Sequence, residues 1–459
     1  MHASRRQFFK TLPAAAGFYS GARFPLHAAD RPKKDMIVRS ARPLDLEMPL
    51  DGFSTWITPV ERFFVRSHMY MPKVDRSTWR LKIEGEVENP LTLSLDDLKK
   101  FPRAEVVSVL ECAGNGRSFY EPGIIGMQWT HGAVGNGRWA GVRLGDLLKK
   151  AGMKASAKEV LFNGADVPIG TMPDFVRTAP VRKALDPDTL LAYEMNGEPL
   201  PEAHGFPLRA VVPGWAGDSW VKWLTNIEVR DKEFDGFFMK TAYRYPVRPV
   251  APGAAVDPAN LAPLEAIRPK SVIASPEAGA GVGQGVPVTI QGAAWAGSAP
   301  VARVEVSADS GRTWQAARLG SERAKYAWRL FEHTWTPPGP GSYVLMSRTT
   351  DARGGTQPFA QDWNPSGYQW NVVHQVRVEV GNVALAPPAP PNPPRPEYPE
   401  KVRTACIGCH ESDIIEGQRL TRGQWDREVT KMTGWGAKVA PADRDELLDF
   451  LSRHFGTRR

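Results

Sequence analysis

The sequence is poor in cysteine, with three in 459 residues, at positions 112, 406 and 409. So few exclude a disulfide framework, even for a chain that leaves the cytoplasm. Long apolar runs are also missing. Beyond the N-terminal segment there is no stretch of about 18 apolar residues, so no membrane-spanning helix is expected and the mature chain should be soluble. No Lys/Arg stripe accompanies the formal net charge of +8, which argues against nucleic acid as a partner. A modest positive surplus does suit an anionic substrate or an acidic partner. There is no internal repeat, and the glycines at 279 to 285 lack the Lys-Ser/Thr continuation of a phosphate loop. What is abundant is Gly (42) and Pro (41), well above the roughly 12% of average usage. That balance predicts loops and short strands rather than a helical bundle. The length predicts about two to four domains.

The two ends of the chain read as an address and a redox module. Ser4-Arg5-Arg6-Gln7-Phe8-Phe9-Lys10 has the pattern of a twin-arginine signal, which predicts a signal peptide over residues 1–29 and a periplasmic protein. At the other end, Cys406-Ile407-Gly408-Cys409-His410 has the spacing of c-type haem attachment: two thiols for the vinyl groups and an adjacent imidazole, His410, for the iron. A redox dithiol or half of a zinc site uses the same spacing, but no second cysteine pair exists to complete a zinc site. The sixth iron ligand is Met432 or His454. Trp425, Val429 and Met432 recur at helical spacing on a helix starting near Thr421, and the Met-Thr-Gly-Trp-Gly segment resembles the Met-bearing turn of small class I cytochromes, which favours Met432. Leu447, Leu451, His454 and Phe455 form a second stripe. A domain of about 60 residues is too small to be stable on apolar burial alone, so the haem would serve as its core. Ahead of it, Ala384 to Pro399 holds eight prolines in sixteen residues. This reads as a polyproline II linker, a tether that would let the haem domain visit an electron donor on the main body.

That donor is sought around Cys112. Glu105 to Leu110 reads as a buried strand running into the small-residue turn Cys112-Ala113-Gly114-Asn115-Gly116-Arg117. A lone cysteine there is by default a buried structural thiol. The wider pattern resembles the sulfite oxidase family of molybdenum enzymes. The resemblance rests on this Cys-Ala-Gly-Asn-x-Arg segment and on Phe63-Phe64-Val65-Arg66-Ser67-His68. It also rests on Trp129, Trp139-Ala140-Gly141-Val142-Arg143-Leu144, Asn196 to Pro201, His204-Gly205-Phe206-Pro207-Leu208-Arg209 and Trp220-Val221-Lys222-Trp223-Leu224. It covers roughly residues 45 to 380.

The resemblance implies the following roles. Cys112 would be a ligand of molybdenum held by molybdopterin, a soft thiolate for that metal. Arg66 and Arg117 would bind an oxyanion, for which the planar guanidinium fork is suited. Tyr243, or its neighbour Tyr245, would be the active-site phenol. Phe64, Arg66, His68, Asp166, His204, Arg209, Trp220 and Lys222 would hold the pterin and its phosphate. Outside the family context these would read as surface charges or satisfied core groups. Two departures stand out. Many members carry a further Arg in a Trp-Asn-x-Arg-Gly segment, where this chain has Ser366, which weakens the case for sulfite. Vertebrate-like members also carry an N-terminal haem b domain that this sequence lacks.

The fold expected is α+β. A sulfite-oxidase-type molybdopterin domain (40–262) precedes an immunoglobulin-like β-sandwich (265–382) that mediates dimerisation in the family. The linker (384–399) and a small all-α cytochrome c domain (400–459) follow. In the sandwich, a hairpin turn is read at Asp309-Ser310-Gly311, between Val304–Ser307 and Thr313–Leu319, and a last strand over Val376–Val380. The expected activity is sulfite oxidation to sulfate, with electrons leaving through haem c to a soluble c-type cytochrome. The alternatives are a sulfane dehydrogenase acting on protein-bound sulfur, a periplasmic sulfoxide reductase, and a non-catalytic electron carrier.

Overall fold

A computed structural model describes residues 35–381 and 395–457. The twin-arginine segment and residues 384–394 of the linker lie outside the described residues. The first unit is built on two five-stranded sheets. One runs in the order Glu198–Pro199, Leu190–Met195, Val134–Arg143, Arg103–Glu111, with Arg209–Val211 also pairing to Leu190–Met195. The other runs Leu91–Leu93, Leu81–Gly85, Leu224–Arg230, Glu159–Gly164, Arg177–Pro180. Short strands joined by Gly- and Pro-containing turns are what the composition predicted. The helix Leu144–Ala151 buries Leu144, Leu147, Leu148 and Ala151 at helical spacing and stops at Gly152 in the left-handed region, φ 69°. Trp129, Trp139 and Trp220 are fully buried and form the middle of the core.

Strand Arg103–Glu111 matters most for function, because Cys112 follows its last residue. Its first half is partly exposed and its second half buried, so the strand dives from the surface into the core and delivers the cysteine loop there. The loop is closed by backbone bonds from Cys112 N to Ala133 O and from Asn115 N to Cys112 O, both 2.9 Å.

The second unit is a sandwich. Lys270–Ser275, Val288–Trp295, Arg329–Trp335 and Arg318–Leu319 form one sheet. Gly281–Val282, His374–Val380, Gly341–Asp351, Val301–Ser307 and Gln315–Ala316 form the other. Alternating residues such as Val376 and Val378 meet Ile273, Ile290 and Leu345 between the sheets. The turn lies at Asp309–Gly311, where the Asp309 carboxylate accepts from Thr313 N (2.9 Å) and Thr313 Oγ1 (2.6 Å). The segment Thr313–Leu319, expected as one strand, is split: Gln315–Ala316 pairs with Val301–Ser307, whereas Arg318–Leu319 pairs with Arg329–Trp335 in the opposite sheet. The chain switches sheets at Ala317, so the alternation of one strand is shared between two.

The third unit is helical. Helix Arg422–Gly434 starts at Thr421 with a capping box to Gln424 and packs on helix Arg444–Phe455. Val402, Leu420, Trp425, Val429, Leu447, Leu451 and Phe455 form its small core. This unit sits against the first one rather than apart from it. Arg42 donates to the Ile407 carbonyl (3.1 Å) and pairs with Glu411 (3.2 Å). Tyr70 donates to the Cys409 carbonyl. Gln418 and Gln424 donate to the carbonyls of Gly126 and Gly123, both 2.9 Å. On the far side Thr171 N donates to the Trp435 carbonyl at 3.1 Å. The linker was expected to let this unit visit the main body; the structure seats it there.

Candidate active site

Two cavities share a wall. The first lies in the first unit and is lined by Phe64, Arg66, His68, Cys112, Asp166, His204, Arg209, Trp220, Lys222 and Tyr243. Residues far apart in sequence meet here because the cysteine loop, the segment after Arg62 and the turns following Pro201 and Ala216 converge on it.

Its electrostatics are set by burial. Burial pushes the Cys112 thiol up, against the pull of Arg66 and the Gly114 amide. His68 is driven well down, by burial first and then by Arg66, Lys222, Arg117 and Arg177, so it is neutral. Tyr243 is driven well up, by burial first. The phenol therefore keeps its proton, and its oxygen shares a hydrogen bond with His68 Nε2. The His68 ring stacks on Phe175 at 4.4 Å. Two buried cations, Arg209 and Lys222, line the cavity without a salt bridge to a carboxylate among the described residues. Arg209 is pushed down to about 9 by burial alone. It gives its terminal nitrogens to the carbonyls of His204 and Trp220, both at 3.0 Å, and its Nε is buried without a hydrogen-bond partner. Lys222 is pushed down to about 7, by burial first and then by Arg209. Asp166, on the same wall, is pushed up to about 6 by burial. A buried cation with an orphaned donor is costly unless an anion meets it.

Arg66 and Arg117 occupy different positions. Arg66 lines the cavity and is held by Asp45 at 2.9 Å. Asp45 in turn accepts from Ser67 N at 2.8 Å. Arg117 does not line the cavity; it stands one layer behind. Its nitrogens go to the carbonyls of Ser366 and Met127, both 3.0 Å, and its guanidinium covers the Tyr368 ring. A Cβ at Gly114 or Gly126 would fall 2.7 or 2.8 Å from guanidinium atoms, so both positions need glycine for this close approach. Ser366 stands where the family's further Arg was sought, and through its carbonyl it anchors Arg117. Tyr245 does not line the cavity; it lies under the Arg268 guanidinium, 4.4 Å from the ring centroid.

The second cavity lies between the first and third units. Cys406, Cys409, His410 and Met432 all line it, surrounded by Ile125, Met127, Met172, Ile415, Val429 and Leu451. His454 does not. It is exposed, packs against Phe450 with ring centroids 4.7 Å apart and lines a separate groove. Arg66, Ser67 and His68 line both cavities and so form the partition between them.

Sequence reasoning missed three buried groups here: Asp45, Arg177 and Asp218. It also missed a lock behind the cysteine. Lys270, the first residue of the sandwich domain's strand Lys270–Ser275, donates to Glu111 at 3.2 Å, and Glu111 also accepts from Asn115 (2.9 Å) and Trp295 (2.8 Å). No local motif marks these residues; only the fold brings them together.

Residues 68–238 match the oxidoreductase molybdopterin binding domain, and residues 263–381 match the Mo-co oxidoreductase dimerisation domain. The sulfite oxidase of Gallus gallus is 35% identical over 357 residues, covering 74% of this chain and 77% of that protein. The chain belongs to the sulfite oxidase family. The Arabidopsis thaliana sulfite oxidase is 30% identical over 393 residues, 79% of this chain and 99% of that protein. Human mitochondrial sulfite oxidase is 39% identical over 360 residues, 75% of this chain, and the chain spans 65% of its length. Among solved structures, the sulfane dehydrogenase SoxCD from Paracoccus pantotrophus superposes with a TM-score of 0.66 at 30% identity, covering 80% of this chain and 93% of that one. The first cavity fits the molybdopterin of this family. The orphaned Arg209 Nε and Lys222 offer cations to a buried anion, and Cys112 presents one soft ligand at the other side of the cavity. Among the described residues no group of three or more His, Cys, Asp or Glu side chains gathers for a bare metal ion.

Proposed function

We propose that this family member oxidises sulfite to sulfate and passes the electrons through a C-terminal haem c to a soluble c-type cytochrome in the periplasm. The observation that carries this reading is the shared wall of residues 66–68: the site for the two-electron reaction backs directly onto the site for a one-electron relay. Cys112 would ligate molybdenum. Arg209, Lys222, His204 and Asp166 would hold the pterin and its phosphate, with Phe64, His68 and Trp220 closing the walls. Cys406 and Cys409 would carry the haem, with His410 and Met432 as axial ligands; four such groups converging on one apolar cavity support that assignment over a dithiol. When bound, molybdenum supplies oxygen-transfer chemistry and haem a single-electron relay.

The protein's own part is electrostatic and positional. Arg66 offers its guanidinium to an anion, Asp45 fixes its direction, and Arg117 adds positive potential from behind the wall. His68, held neutral, orients the Tyr243 phenol toward the pocket. The seated third unit covers the wall over residues 66–68. A small diffusible anion needs far less room than sulfur carried on another protein, which favours sulfite over the sulfane reading. The sandwich domain supports assembly as a homodimer, and no described helix is long and apolar enough to cross a membrane. The test is to add sulfite to the purified holoprotein and follow its haem absorbance. Reduction is expected. A haem that stays oxidised under excess sulfite, yet responds to dithionite, overturns the proposal.

A further inference from the structure

The first cavity contains a buried acid–base pair that the functional reading leaves without a task. Asp218 lies in the short turn Gly217–Ser219 and lines the cavity together with Cys112 and Tyr243. Its side chain is fully buried, with one carboxylate oxygen 2.5 Å from Arg177 Nη2. Besides Arg177, only its own backbone amide acts on the carboxylate as a donor. Arg177, equally buried, comes from strand Arg177–Pro180. Its other terminal nitrogen goes to the Phe238 carbonyl, and its guanidinium carbon lies 5.1 Å from the Tyr243 ring centroid. Ion pairs buried this deeply are at best neutral for stability compared with apolar residues of the same volume. A carboxylate on the wall of a reaction cavity is also placed to take a proton from it. Both observations point to a role beyond structure.

We propose that Asp218 accepts a proton released during sulfite oxidation, and that Arg177 keeps it ionised until then. This rests on the sulfite reading. Sulfite and water give sulfate, two protons and two electrons. The two electrons would be taken up by two oxidised c-type cytochromes, one each. One proton goes to a carboxylate oxygen of Asp218 and the other to solvent. Before turnover the pair is electrically neutral and does not repel the anionic substrate. After proton uptake Arg177 is left with an uncompensated positive charge on the side of the cavity where sulfate has formed. The other titratable groups facing Asp218 are Tyr243 and Tyr368, both pushed up by burial and hence neutral, so they do not compete for the proton. Burial pushes Asp218 itself up to about 6, with Arg177 pulling the other way. It can therefore return the proton to solvent between turnovers.

Asp218→Asn keeps the volume and removes the acceptor. Turnover of sulfite with oxidised cytochrome c is measured across pH, together with molybdenum and haem content and the infrared band of protonated carboxyl groups. The expected result is a fall in kcat of about a hundredfold or more with little change in KM. The acidic limb of the pH profile should disappear, and so should a carboxyl band that titrates near neutral pH in the wild type. A structural pair would lower thermal stability and leave the limb in place, and that outcome overturns the proposal. If Asp218→Asn fails to take up molybdenum, Arg177 decides the matter. Arg177→Lys should keep the limb and Arg177→Gln should move it to higher pH; a limb that stays put in Arg177→Gln overturns the proposal. The infrared titration needs no substrate. A wild type inactive toward sulfite sinks the functional reading, whereas the absence of a titrating carboxyl band sinks the assignment of Asp218.

Discussion

Four side chains of the two cavities make separable demands. Cys112→Ser replaces a soft ligand with a hard one; molybdenum-dependent turnover should be lost while the haem spectrum is unchanged, and substantial activity in a molybdenum-replete variant would exclude Cys112 as the ligand. Arg66→Gln removes a charge-assisted bond worth about 1.5–3 kcal/mol. The Michaelis constant for sulfite should rise about tenfold or more, one decade for each 1.4 kcal/mol. Met432→Ala should abolish the sulfur-to-iron charge-transfer band and lower the haem potential; a change caused by His454→Ala instead would reassign the ligand. Lys222 yields a pH signature. Its folded value, about 7, lies below its ordinary 10.5, so between these pH values the unfolded chain binds more protons than the folded one. Stability of cofactor-free protein should therefore rise by up to a few kcal/mol as pH is raised from about 7 to about 10. Loading the anionic cofactor should flatten the trend. Chemical denaturation at several pH values, with and without cofactor, reads it directly. Cys112, His204, Arg209 and Lys222 were legible in the sequence because each sits in a contiguous motif. Asp45, Arg177 and Asp218 were not: each takes its meaning from a partner on another element, and a lone Asp or Arg carries no local pattern. Arg117 was legible in its motif but not in its depth, which depends on carbonyls from two distant loops.

Among the elements, the helix Arg422–Gly434 was readable from its first residue, because a Thr followed three positions later by Gln is a local signal for a helix start. Thr421→Ala should cost about 1 kcal/mol and lower the melting midpoint of the third unit, seen as loss of its helical circular dichroism before that of the first unit's core. The split of Thr313–Leu319 between two sheets was not readable, since residue alternation does not reveal which neighbour each half will pair with. Glu105–Leu110 was read as a buried strand, but only Ser108–Leu110 of it is buried, and the strand starts earlier, at Arg103. Its exposed start carries Glu105, paired with Arg138 on the adjacent strand, and Arg103, paired with Glu194 two strands away, which satisfies charges that a hydrophobic-run reading passes over.

At the level of the whole molecule, the third unit forms one wall of the second cavity. Ending the chain after Val383 should leave the first cavity intact, so sulfite still reduces the metal in a single turnover, while steady-state reduction of external cytochrome collapses. Undiminished cytochrome reduction by the truncated protein would show that electrons have another exit. The order of the three units was visible in the motifs, but their seating was not, because the bonds across that interface run largely to backbone carbonyls, which no side-chain pattern announces.

The partition at Arg66, Ser67 and His68 also constrains how such a protein changes over generations. A substitution there is never a change to one cavity alone, since the same three residues line both. Improved handling of a new anion would be judged at once by its effect on the relay, and the reverse. Variation at these positions is therefore expected to arise together with compensating changes in the loop bearing Cys406 and Cys409, and the two centres to be inherited as a matched set. A third unit exchanged from a distant relative would bring its own side of this boundary and would need residues 66–68 from the same parent.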